Sequence, residues 1–150
     1  MPTVLIVDDE AAIRDLVEDT LALAGHDVIV AASGVEALAQ IATCRPDCLV
    51  LDVMMPGMSG LEVLNRLRQD PATSGLPVIM LTARVDDVST WQGWQAGADL
   101  YLEKPFDPAD LTAWVQRVVP CRRTPHLSAW SETDTTLRRV MMNELHLLAL

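Results

Sequence analysis

Short continuous apolar runs alternate with stretches of helical periodicity along most of this chain. Val4-Leu5-Ile6-Val7 has the pattern of a strand covered on both faces, and it ends in Asp8-Asp9-Glu10. Ile13, Leu16, Val17, Thr20, Leu21 and Leu23 then recur at helical spacing, with Gly25 as a C-terminal cap. Val28-Ile29-Val30-Ala31 is a second strand. Ser33 and Glu36 form a capping box for a helix whose apolar face is Val35, Leu38 and Ile41, and Pro46 lies beyond its end. Cys48-Leu49-Val50-Leu51 is a third strand ending at Asp52, followed by a loop over 54–60. Leu61, Val63, Leu64 and Leu67 define a third helix. Pro77-Val78-Ile79-Met80-Leu81 is a fourth strand ending at Thr82, and a fourth helix over 86–96 is stopped by Gly97. Leu100-Tyr101-Leu102 is a fifth strand ending at Lys104-Pro105. Asp107 or Asp110 opens a fifth helix through Leu111, Trp114, Val115 and Val118.

Five strands alternating with five helices predict an α/β fold, a parallel sheet with helices on both faces. Ligands of such sheets bind outside the carboxyl ends of the strands. Asp8, Asp9, Asp52, Thr82 and Lys104 all fall on that rim. Taken singly, each has a bland explanation: a strand-end Asp as a turn former, a Thr in a strand, a solvated Lys. Their coincidence on one edge does not.

The 150 residues suit one domain with a short appendage. The net charge of −10 repels phosphate backbones, so the chain is not expected to bind nucleic acid by itself. No apolar run is long enough to cross a membrane, and Met1-Pro2-Thr3 lacks the basic region of a secretory signal. A cytoplasmic location is expected. Cys44, Cys48 and Cys121 show no CxxC spacing, so neither disulfides nor zinc are expected; Cys44 and Cys48 are expected to be buried thiols. Lys104 is the single lysine beside ten arginines, which suits a position needing a compact ammonium.

Three carboxylates at close range repel, and a divalent cation relieves the conflict. Oxygen ligands with open water positions suit Mg²⁺. With a lysine and a hydroxyl nearby, the set suits phosphoryl transfer to an Asp nucleophile. Asp52, the single acid at the end of the central strand, is the candidate acceptor, and Asp8 and Asp9 are candidate metal ligands.

These residues sit in four segments, "VLIVDDE" from Val4, "LDVMMPGMSGLEVL" from Leu51, "LTAR" from Leu81 and "AGADLYLEKPF" from Ala96. In this order they resemble the receiver domains of two-component response regulators, over roughly residues 3 to 119. The resemblance implies a flavodoxin-like (βα)5 fold with strand order 2-1-3-4-5. It implies a signalling switch that accepts a phosphoryl group on Asp52 from a sensor histidine kinase or phosphotransfer protein. Beyond its own phosphorylation and dephosphorylation no enzyme activity is implied. Asp9, Asp52 and the backbone carbonyl of Met54 would hold Mg²⁺, with Asp8 acting mainly through water. Lys104 would contact the phosphoryl group, and the Lys104–Pro105 bond would be cis. Thr82 would move toward the phosphoryl oxygens and Tyr101 rotate inward behind it. That motion would alter the helix 4–strand 5–helix 5 surface read by an output partner or domain.

Several residues depart from the family pattern. Trp91 and Trp94 replace smaller aliphatic residues and serve either core packing or a partner surface. Leu100, Trp114 and Cys121 stand where the winged-helix subclass carries the charges of its dimer. That leaves an apolar contact through Leu100 and Trp114 as the basis of any homodimer. Met54 and Arg84 flank the site and would govern access of water. The receiver is expected over 1–119 and a linker over 120–131. The segment 132–150 would be an amphipathic tail helix or the start of a missing output region, with His146 an ordinary surface or interface histidine. A haloacid-dehalogenase-type phosphatase would need an acid where Met54 stands, and a flavodoxin-like electron carrier would need a Ser/Thr/Gly-rich loop where Asp8-Asp9-Glu10 stands. A receiver acting without phosphorylation is the remaining alternative.

Overall fold

The computed structural model describes residues 2–83 and 88–119. The expected linker, the tail helix, Arg84, Cys121 and His146, together with the side chain of Trp91, lie outside the described residues. Ten elements alternate: β1 (Thr3–Val7), α1 (Ala11–Leu23), β2 (Asp27–Ala31), α2 (Gly34–Cys44), β3 (Cys48–Asp52), α3 (Gly60–Gln69), β4 (Val78–Thr82), α4 (Val88–Ala96), β5 (Leu100–Glu103) and α5 (Pro108–Val118). All strand pairs are parallel, in the order β2-β1-β3-β4-β5. Both the α/β class and the expected strand order are therefore observed.

The continuous apolar runs are explained by the two layers they separate. Successive side chains of a strand point to opposite faces. Leu5, Val7, Leu49, Leu51, Val78 and Met80 pack with Ala37, Ile41, Val63, Leu64 and Leu67 of α2 and α3. Their alternates Val4, Ile6, Cys48, Val50, Ile79 and Leu81 pack with Val17 and Leu21 of α1 and Leu111, Val115 and Val118 of α5. A strand with helices on both sides has no polar face to show.

The helix boundaries follow local chemistry. Glu36 N–H donates to Ser33 Oγ at 3.2 Å, and the Glu36 carboxylate returns to accept from Ala32 N–H at 3.2 Å. Asp107, and not Asp110, opens α5: its carboxylate accepts from Ala109 N–H at 2.9 Å, with Pro108 in the first turn. Gly25 and Gly97 end α1 and α4 at φ +94 and +103, a region that strains other residues.

Some expected core positions are at the surface. Leu16, Leu23 and Val35 are exposed, Leu23 to 91%. The helical faces are narrower than the apolar periodicity suggests, because each helix lies on a single sheet face. Cys44 is also exposed: it is the last residue of α2, where the helix leaves the sheet, while Cys48 on the central strand is buried as expected. Burial pushes the Cys48 thiol strongly up, so it stays protonated.

Leu100 is fully buried against the α1/α5 layer and offers no apolar dimer contact, contrary to expectation. Trp114 packs partly on the same layer, with the Arg117 guanidinium 5.1 Å above its ring.

At the amino ends of the strands, Arg68 ties three segments together. Its guanidinium donates to the carbonyls of Thr73, Ser74, Leu76 and Gly97 and pairs with Asp99 at 3.1 Å. Asp99 also accepts from Val78 N–H at 2.7 Å. The end of α3, the start of β4 and the turn into β5 are thereby joined.

Candidate functional site

The carboxyl ends of β1, β3, β4 and β5 converge as the strand order requires, since β1, β3, β4 and β5 are successive neighbours in the sheet. Asp8 follows β1 and is fully buried; Asp52 ends β3 and Thr82 ends β4, both buried. Asp9 beside them is exposed. Ligand oxygens of Asp8, Asp9 and Asp52 lie within 4.8 Å of one another, a group that could hold a metal ion.

Lys104 reaches this group from just beyond β5, and the Lys104–Pro105 peptide bond that follows it is cis, as the resemblance implied. Its Nζ donates to Asp8 Oδ2 at 2.8 Å and lies 3.4 Å from Asp52 Oδ2 and 3.9 Å from Glu10 Oε1. Lys104 N–H donates to the Thr82 carbonyl at 2.7 Å, so β4 and β5 are locked together at the rim. The other oxygen of Asp8 accepts from Glu10 N–H at 2.9 Å, and Arg14 donates to the Asp8 carbonyl at 2.7 Å. Both carboxylate oxygens of Asp8 are thus engaged by the protein.

Asp52 is held less completely. Met54 N–H donates to its Oδ1 at 3.2 Å, while the Met54 side chain is 73% exposed at the rim. Burial pushes the Asp52 carboxyl up from 3.8 to about 6. The Asp8 charge and the Asp9 carboxyl add to that rise; Lys104 and Met54 N–H oppose it. For Lys104, burial disfavours the charge, but the Asp8 hydrogen bond and the Asp52, Asp8 and Glu10 charges outweigh burial and raise its value. The rim is therefore short of positive charge, and at Asp52 the neighbouring acids add to the larger effect of burial.

Tyr101 lies one layer behind. It is fully buried, its ring centroid 5.4 Å from that of Trp94, and burial raises its phenol strongly; the ring therefore stands inward already, where an inward rotation on phosphorylation was expected. Trp94 packs against the α2/α3 layer, which favours the core-packing role for this ring.

Every described site residue that the sequence singled out is brought to this rim, with Tyr101 just beneath it. Supporting residues were missed. Gly60 starts α3 so close to β3 that a Cβ there would overlap the Asp52 carbonyl oxygen and sit 2.9 Å from Val53 Cα. The "SG" pair before an apolar helix marks a turn; only the tertiary contact makes the glycine necessary. Arg14 and Glu10, which brace Asp8, carry no signal beyond being polar residues after a strand.

No helix among the described residues is long and apolar enough to cross a membrane. Known proteins are similar to this chain in sequence and arrangement. The phosphate regulon transcriptional regulatory protein PhoB of Pseudomonas aeruginosa is 43% identical over 122 residues, covering 81% of this chain and 52% of PhoB. The DNA-binding dual master transcriptional regulator RpaA of Synechocystis is 42% identical over 127 residues, covering 85% of this chain and 52% of RpaA. The chain spans about half the length of these curated relatives. Among solved structures, the chemotaxis protein CheY4 of Vibrio cholerae superposes with a TM-score of 0.75 at 40% identity, covering 79% of this chain and 98% of CheY4. A Francisella response regulator receiver domain superposes at 0.74 with 34% identity, covering 82% of this chain and 100% of that domain. The family model for the response regulator receiver domain matches residues 4–116. The chain belongs to the response regulator receiver domain family, the phosphorylation-dependent signalling switches of two-component systems.

Proposed function

We propose that Asp52 is the phosphoacceptor of this switch and that Asp8, Asp9, Asp52 and the Met54 carbonyl form its Mg²⁺ site. The carrying observation is the imbalance at the rim: three carboxylates share one ammonium, and Asp52 is the acid pushed up to about 6. Bound there, Mg²⁺ would neutralise this crowding and the charge on the transferring phosphoryl oxygens. Asp8 is already saturated by Lys104 and Glu10 N–H, so it suits a role through water, with Asp9 and Asp52 as direct ligands.

The Asp52 carboxylate attacks the phosphorus of a phosphohistidine on a sensor kinase or phosphotransfer protein. The P–N bond breaks, the imidazole nitrogen leaves with the electron pair, and an acyl phosphate remains on Asp52. Lys104 turns from the carboxylates to a phosphoryl oxygen, and the Thr82 hydroxyl donates to another. Water later attacks the same phosphorus and releases phosphate, with the exposed Met54 at the entrance. Tyr101 is already inward beneath the rim, so Thr82 moves against a ring that is in place, and the α4–β5–α5 surface changes for an output partner.

Residues 1–119 form the switch, 120–131 a linker, and 132–150 an amphipathic tail helix or the start of an output region. The acidic receiver itself does not hold DNA; its activity is cytoplasmic.

Intact-protein mass spectrometry after incubation with acetyl phosphate tests this. A gain of one phosphoryl group that requires Mg²⁺ and is absent in Asp52→Asn is expected. An equal gain in Asp52→Asn, or none in the wild type, would overturn the assignment.

A further inference from the structure

α4 carries a glycine in its interior, Gly93, where alanine would favour the helix. The reason lies across the gap to β5. A Cβ placed on Gly93 would overlap the hydroxyl oxygen of Tyr101, sit 2.7 Å from its Cζ and 3.2 Å from its Cε2. The buried Tyr101 ring thus ends against the bare backbone of α4, and any side chain at 93 occupies the same space.

Neither partner can step aside by moving its backbone. Tyr101 is paired in register with Met80 inside the sheet. The Gly93 carbonyl accepts from Ala98 N–H at 2.9 Å. Gly97, at the end of α4, is held through its carbonyl by Arg68 Nε at 3.1 Å and Nη2 at 2.8 Å. The C-terminal half of α4 is therefore pinned to the β4–β5 edge. With both backbones fixed, the freedom left is the Tyr101 side chain.

We propose that Gly93 is the positioning residue that admits Tyr101 to its inward place, and that a Cβ at 93 holds Tyr101 outward. This rests on the assignment of Tyr101 as the switch aromatic. Under it, Gly93 keeps Tyr101 in place between the rim and the α4–β5–α5 surface, and a side chain at 93 leaves phosphoryl uptake intact while removing that link.

Tyr101 is the single tyrosine of the chain, so incorporated fluorotyrosine gives one fluorine resonance. Its solvent isotope shift between H₂O and D₂O reports exposure. In the wild type the shift is expected near zero. In Gly93→Ala it is expected to approach that of free fluorotyrosine, both before and after acetyl phosphate and Mg²⁺, with the one-phosphoryl mass gain preserved. A Gly93→Ala tyrosine as protected as the wild type's would overturn the proposal, because α4 would then have yielded instead.

If Gly93→Ala fails to fold, Gly93→Ala/Tyr101→Leu decides the matter, because phenylalanine would keep the Cζ that lies 2.7 Å from the new Cβ. Recovery of a cooperative melt on removing the overlapping ring supports the proposal. No recovery overturns it. Failure of the wild type to take up a phosphoryl group would sink the phosphoacceptor assignment while leaving the isotope shifts to judge Gly93 separately.

Discussion

Two clusters in this molecule set a cation against buried aspartate, at opposite ends of the same sheet, and they are built to opposite ends chemically. At the amino ends of the strands, the Arg68 guanidinium spreads its donors over four carbonyls and Asp99. Asp99 is further satisfied by Val78 N–H. At the carboxyl ends, the Lys104 ammonium faces Asp8, Asp52 and Glu10 with Asp9 close by. The first cluster is charge-balanced and saturated with hydrogen bonds, as a buried ion pair must be to avoid a net cost. The second is left with excess negative charge, and Asp52 shows it. A fold can hold a structural pair and a reactive site with the same residue types. What separates them is whether the hydrogen bonding is complete.

The sharpest way to break the comparison is to remove a cation from the balanced side. Arg68→Ala strands the Asp99 carboxylate and frees several buried carbonyls. A loss of about 3–5 kcal/mol is expected in denaturant unfolding, with phosphoryl uptake retained wherever the protein still folds. Arg68→Lys should recover only part of it, since an ammonium lacks the planar fork that reaches several acceptors at once. A near-neutral Arg68→Ala would mean that the cluster is not a lock.

On the unbalanced side a cation should be gained. Mg²⁺ at a hundredfold its dissociation constant is expected to stabilise the wild type by about 2.7 kcal/mol. The gain should reverse on adding a chelator and be greatly weakened in Asp52→Asn. A melting curve indifferent to Mg²⁺ would contradict the proposed site.

The smallest effect carries the opposite sign to an ordinary buried substitution. The Asp52 carboxyl is raised in the folded state from 3.8 to about 6, so its ionisation opposes folding. That cost is fully present above pH about 6 and fades as Asp52 protonates between about 6 and 4. Without metal, Asp52→Asn should therefore be more stable than the wild type at neutral pH, by about 1–2 kcal/mol once screening by water at the rim is allowed for. The two stability curves should converge toward pH 4. Equal stability at neutral pH would show that Lys104 already balances the site.

Much of this was visible in the chain. The five apolar runs and their strand-end acids gave each site residue its address, because a parallel sheet places successive strand ends on one rim. Ser33 was recognisable as a cap, and Asp107 as one of two candidates with Asp110, because capping depends on neighbours a few residues away. Errors arose where the answer depended on distant packing. Leu23 and Val35 fit a helical period yet point away from the sheet, and Leu100, expected at a surface, is covered by α5. The role of Arg68 was not read from the sequence, since its acceptors lie in segments that periodicity cannot relate.

The sequence by itself determined the element order, the class of fold and the identity of the candidate phosphoacceptor, because local periodicity, strand-end chemistry and family motifs are carried by short stretches of residues. Tertiary structure alone decided which charges are balanced and which side chains share space. Asp99 is neutralised by a residue 31 positions away, Asp8 by one 96 positions away, and Tyr101 rests on a glycine of a neighbouring helix. Electrostatics and steric exclusion act through distance in space, and only the packed fold sets those distances.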